Sequence, residues 1–145
     1  MQARELHETN GQRTFAVIFQ TGDVAMAGLQ RFAADHHLTA AAFTGIGAFR
    51  DVTVAYFDWQ TKQYRKIPID EQVEVLALTG DVSEGDGGKP KVHAHVVLGR
   101  SDGTTRGGHL IEGHVRPTLE VVVTESPAHL RRRHDPESGL SLISP

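Results

Sequence analysis

A chain of 145 residues with 39% hydrophobic and 23% charged residues is the size of one ordinary soluble domain with one core. It has no cysteine, which excludes disulfides, thiolate catalysis and cysteine-ligated zinc and leaves His, Asp and Glu as the strong metal ligands. The net charge of −3 lacks the basic excess of a dedicated nucleic-acid binder, and nine histidines are the unusual feature of the composition.

The first thirteen residues, MQARELHETNGQR, hold no continuous apolar stretch, and no later run is long enough to span a bilayer, so a cytoplasmic location is the default expectation. Thr14 to Gln20 (TFAVIFQ) reads as a strand ended by the turn Thr21-Gly22-Asp23, with Asp23 as a helix N-cap. From Val24 the spacing places Ala25, Leu29, Phe32, Ala33 and His36 on one face. This predicts an amphipathic helix that ends near His37, where a cation suits the helix dipole.

Beyond Leu38 the texture becomes β. AAAFTGIG and DVTVAYFD read as two strands separated at Gly45, Gly47 and Ala48 by a tight turn or bulge, and Trp59 to Gln63 connects a hairpin to YRKIPI. QVEVLALTGDVS reads as a largely buried strand, with Val73, Val75 and Ala77 alternating against Glu74, Leu76 and Leu78. Ser83 to Pro90 is a glycine-rich surface loop. Three further strands follow in KVHAHVVLG, GGHLIEGHV and TLEVVVTES, and the C-terminus reads as a short helical turn around Arg131-Arg132-Arg133 and a strand-like tail. The expectation is a single α+β domain over 1–145, with a core of about 12–127 and a tail of 128–145. One main helix packs on a curved, largely antiparallel sheet of six to eight strands, and a homo-oligomer would cover the sheet edges.

The chemistry concentrates in the histidines. Residues two apart on a strand share a face about 7 Å apart, so His93 and His95 project together while Val92, Ala94 and Val96 point the other way. A hairpin register centred on Asp102 sets His109 opposite His95. That register needs an odd-length loop, and a two-residue loop would turn His109 to the other face unless Gly107-Gly108 forms a bulge. Glycines before His109 also suit close approach by another backbone or by an ion. Three histidines so placed are expected to hold a divalent first-row ion, zinc above all, and to leave a fourth position open to water or a ligand. Glu112 and Glu120 are the candidate general bases or outer carboxylates. His114 is off-register and structural, and His7, His129 and His134 are solvated.

TGIGA (Thr44 to Ala48), YFD (Tyr56 to Asp58), VEVLALTGDVS and KPKVHAHVVLGRSDGTTRGGHLIEGHVRPTLEV together resemble the plant and prokaryote conserved (PPC) domain over essentially the whole chain. The resemblance implies a compact α+β homotrimer. It also matches His93, His95 and His109 to the metal-binding set of prokaryotic members, and it supplies no settled reaction. Members of this lone-domain type often carry a DNA-binding label. This chain has no AT-hook core, and its basic candidates for DNA are Arg131, Arg132 and Arg133, a run that in isolation reads as solvated.

Three functions compete: a metal-dependent trimer that binds or transforms a small molecule, a DNA-binding or chromatin-associated protein, and a pure interaction module.

Overall fold

Asn10-Gly11 turns the N-terminus back on itself, with both residues at positive φ (49° and 79°), the conformation that a two-residue hairpin requires. The computed structural model describes residues 1–144, Asp86 by its backbone alone. This turn joins β1 (Gln2–Thr9), a strand that the sequence pattern did not flag because it is exposed along its whole length, to β2 (Gln12–Gln20). Phe15, Val17 and Phe19 alternate inward from β2.

Helix α1 (Ala25–Asp35) buries Ala25, Gly28, Leu29, Phe32 and Ala33, the predicted face. Its N-cap is Val24, without a side-chain cap, rather than Asp23. The Asp23 carboxylate instead accepts the Gln20 backbone N–H at 2.8 Å and pairs with the N-terminal ammonium at 2.6 Å, so it closes the preceding turn. At the other end His36 forms the C-cap, its ring 4.4 Å from Phe32, and His37 leaves the helix at φ 54°.

The remaining strands are β3 (Ala40–Asp58), β4 (Gln63–Ile69), β5 (Val73–Glu84), β6 (Pro90–Gly99), β7 (Thr105–Glu125), β8 (Arg131–His134) and β9 (Ser141–Ser144). Two predicted breaks are absent. β3 runs through Gly45 and Gly47 with bulges against its neighbours, and β7 runs through Arg116-Pro117. Both strands are long because each serves two sets of partners. β3 pairs β5 with its first half and β4 with its second, while β7 pairs β6 with its first residues and β2 with its last.

β3, β5, β6 and β7 each pair with the next and so close into a ring, extended on one side by β2 and β1. The interior holds Phe43, Phe49, Val54, Leu78, Leu98, Leu110 and Leu119. On β5 a bulge between Val75 and Ala77 shifts the alternation, so Leu78 is buried whereas Leu76 and Ala77 face out. Helix α1 lies against β6 and β7, and Gln30 ties it to β6 by donating to the Pro90 carbonyl (2.6 Å) and accepting the Val92 N–H (3.2 Å).

The C-terminus corrects the expected helical turn: β8 and β9 form an antiparallel hairpin, attached in parallel to the end of β5 at Glu84. No helix of the described residues is long and apolar enough to cross a membrane.

Candidate metal centre

β6 divides its residues between two environments. Val92, Ala94, Val96 and Leu98 enter the core, which leaves His93 and His95 on the outer face. β7 returns alongside after the five-residue loop Arg100–Thr104, with the pairs Gly99–Thr105, Val97–Gly107 and His95–His109. The odd length is what the histidine geometry requires. Asp102 shapes the loop by accepting the Thr104 N–H (2.9 Å) and hydroxyl (2.6 Å).

The glycines ahead of His109 allow three strands to meet. A Cβ on Gly108, which sits at φ 149°, would lie 2.7 Å from the Ala55 carbonyl of β3, and one on Gly107 would lie 2.6 Å from the Val96 carbonyl of β6. Close backbone approach, rather than a register-restoring insertion in the β6–β7 ladder, accounts for the pair.

One ring nitrogen from each of His93, His95 and His109 lies within 4.8 Å of the other two. Two metal–nitrogen bonds of ~2.0–2.1 Å span up to about 4.2 Å, so a small swing of the imidazoles closes the set on one ion. The ring centroids stand 5.0 Å (His93–His95), 5.0 Å (His93–His109) and 5.5 Å (His95–His109) apart. His109 Nδ1 is buried and has no hydrogen-bond partner among the described residues, a state that a cation would relieve.

Burial, reinforced by the charges of His93 and His95, pushes the His109 imidazole down to about 4, and burial with the His93 charge lowers His95. At neutral pH both are therefore uncharged and present lone pairs, the form that a metal requires.

Behind His93 stands Asp81, its direct partner on β5. Asp81 Oδ2 lies 3.4 Å from His93 Nδ1, and Oδ1 accepts from Arg132 at 2.7 Å. Burial raises the Asp81 carboxyl, but the hydrogen bonds to His93 and Arg132 outweigh it and hold the group below the usual carboxylate range. A cavity of about 210 Å³ opens at His93 and His109, walled by Tyr64, Lys91, Arg132, Leu140 and Leu142. The Tyr64 ring stacks at 4.7 Å on His109, and Phe57 links Tyr64 (5.2 Å) to Trp59 (6.3 Å) at the tip of the β3–β4 hairpin.

The other candidates lie elsewhere. Glu112 is 3.1 Å from His114 Nε2, and His114 Nδ1 meets Asp51 at 2.5 Å, so the structural role expected of His114 involves both carboxylates. Glu120 sits near the far end of β7, beside Ile46. Of the three arginines, Arg131 pairs with Glu84 at 3.4 Å and Arg133 is exposed, as a solvated run would be. Arg132 departs from that reading, because strand alternation turns it inward, where its side chain is only 6% exposed.

Sequence reasoning missed Asp81, although a signal for it existed. Asp81 and His93 lie symmetrically about Gly87, so the counting used for the second hairpin identifies the pair in the first. Arg132 had no such signal, since it reaches Asp81 through a parallel contact between β8 and β5.

A model of the Plants and Prokaryotes Conserved (PCC) domain matches residues 6–127, and the chain belongs to that family. The chain is similar to a plant- and prokaryote-conserved (PPC) protein of Pyrococcus horikoshii, with 31% identity, a TM-score of 0.85 and 96% and 98% of the two chains covered. It is similar also to a metal-containing protein of Archaeoglobus fulgidus (34%, TM-score 0.83, 91% and 93%). A protein of Ralstonia eutropha JMP134 with a provisional DNA-binding name is 30% identical, with a TM-score of 0.83 and 90% of each chain covered. Among curated proteins the chain is 31% identical over 134 residues to the bifunctional protein GlmU of Synechococcus sp. (strain JA-3-3Ab), and it spans about a fifth of that protein's length.

Proposed function

We propose that this domain is a metal-binding homotrimer in which His93, His95 and His109 hold one divalent first-row ion, zinc by preference, with an open position toward a small ligand. The observation that carries this reading is the convergence of three ring nitrogens within 4.8 Å, one imidazole having a buried and unpartnered nitrogen. The Archaeoglobus relative, described as metal-containing and 34% identical, supports it. Such an ion supplies Lewis acidity and lowers the pKa of a bound water.

The chain's own residues define what fits beside it. A cavity of about 210 Å³ is smaller than the ~300–1,000 Å³ of drug-sized sites, and Lys91 at its wall favours a small anion over a cation. Tyr64, Leu140 and Leu142 offer that ligand an apolar side.

Trimer formation draws on a different face. Ile46 (61% exposed), Leu76 (51%) and Val122 (44%) form an outward apolar patch across β3, β5 and β7, the kind of surface that association buries. The test is metal analysis of untagged protein together with its mass in solution. One ion per chain in a trimer is expected, and metal-free protein that takes up no added zinc overturns the reading.

A further inference from the structure

We propose that the C-terminal hairpin β8–β9 is a working part of the histidine centre, with Arg132 as a positioning residue that acts through Asp81 on His93. The inference rests on the metal-binding reading and adds to it the device that aims one of the ligands.

The hairpin is delivered to the site by few contacts. Glu84 N–H donates to the Leu130 carbonyl at 2.7 Å, and Leu130 N–H donates to Thr39 at 3.2 Å, which fixes where β8 begins. Alternation then turns Arg131 and Arg133 outward and Arg132 inward. Asp135 closes the turn between the two strands, accepting from the Ser138 backbone at 2.8 Å, and its own N–H donates to Leu140 at 2.8 Å.

Every nitrogen of Arg132 is then engaged. Nε donates to Ser83 Oγ (2.7 Å), Nη2 to Asp81 Oδ1 (2.7 Å) and Nη1 to the Ser141 carbonyl (2.9 Å). Three acceptors around a planar fork leave it one orientation, and a buried guanidinium without them would be strongly unfavourable. Asp81 is held in turn by one oxygen, and its other oxygen faces His93 Nδ1 at 3.4 Å.

A carboxylate on one imidazole nitrogen places the proton there and leaves the opposite nitrogen with its lone pair toward an ion. Arg132 thus sets the direction of Asp81, and Asp81 sets the tautomer and ring angle of His93. The same hairpin lays Leu140, Ser141 and Leu142 along the cavity that His93 and His109 share. The family model stops at residue 127, so all three histidines lie inside the match and the segment that braces them lies outside it.

If Arg132 only tied the hairpin down, its loss would lower stability and leave the affinity of the folded protein for metal unchanged. The experiment therefore reads affinity, with the full chain stripped of metal and titrated with Zn(II) against a chromophoric chelator and with Co(II) by visible absorption. Asp81→Asn and Arg132→Met are each expected to weaken binding by about 10- to 100-fold and to shift the Co(II) bands, with partial recovery in Arg132→Lys and none of these changes in Arg133→Met. Folded Asp81→Asn with the affinity and spectrum of the parent protein overturns the proposal, even where Arg132→Met fails to fold. Parent protein that binds neither ion overturns the metal reading itself, and this proposal with it.

Discussion

His95 and His109 are direct partners across the β6–β7 ladder, each seven residues from Asp102 at the centre of the loop that joins the strands. The side-chain period of a strand is two, so this pairing holds only while the loop keeps an odd length. Deletion of Gly103 is expected to turn His109 to the opposite face. Bound metal should vanish while the far-UV circular dichroism of the sheet persists; metal retained at parent stoichiometry would contradict the register argument.

His95 is the exposed member of the set, so its removal tests ligation with little effect on packing. In His95→Ala the unfolding free energy of the metal-free protein should change by no more than about 0.5 kcal/mol. Elemental analysis should show the loss of stoichiometric metal.

Acid should weaken the metal-free fold through His109. Its imidazole is held at about 4 in the folded chain, against an ordinary value of 6.5. Between those values the unfolded chain binds more protons than the folded one, so stability rises with pH through that window. The penalty is absent above about 6.5, grows as pH falls toward 4 and levels off below it. Thermal melts across pH 4–7 should show this slope, and His109→Asn should flatten it.

In the proposed trimer, a charge in the outward apolar patch should separate the subunits without unfolding them. Ile46 is 61% exposed, so Ile46→Glu disturbs no core contact. Light scattering should register a fall from trimer to monomer mass, and an unchanged trimer would place the interface elsewhere.

Duplex DNA should not be retained even at low salt. With Arg132 committed to Asp81, Ser83 and Ser141, the basic run presents Arg131 and Arg133, and the net charge is −3. Binding that falls steeply with salt and disappears in Arg131→Gln/Arg133→Gln would favour the DNA reading instead.

Legibility followed the range of the cause. Alternation on β6 is local and sets His93 and His95 on one face before any fold is known, whereas His109 joins them only with an odd-length loop, which the ladder of β6 and β7 supplies. The face of α1 was likewise readable from its spacing. The hairpin at Asn10-Gly11 was missed, because the exposed residues of β1 carry no apolar alternation to announce a strand. The glycines of β3 and the proline of β7 look like breaks because turn chemistry and bulge chemistry use the same residues, and only the demand for two partners keeps each strand running. Arg132 was illegible for a stronger reason: an arginine in a basic run turns inward only because a distant carboxylate waits for it.

The aromatic line from His109 through Tyr64 and Phe57 ends on Trp59, the chain's one tryptophan. The protein thus carries its own fluorophore on the hairpin that leans over the histidines. Its emission can be excited without interference from a second indole, and a quenching ion such as Co(II) or Cu(II) bound at the proposed centre would be read in real time with no label attached.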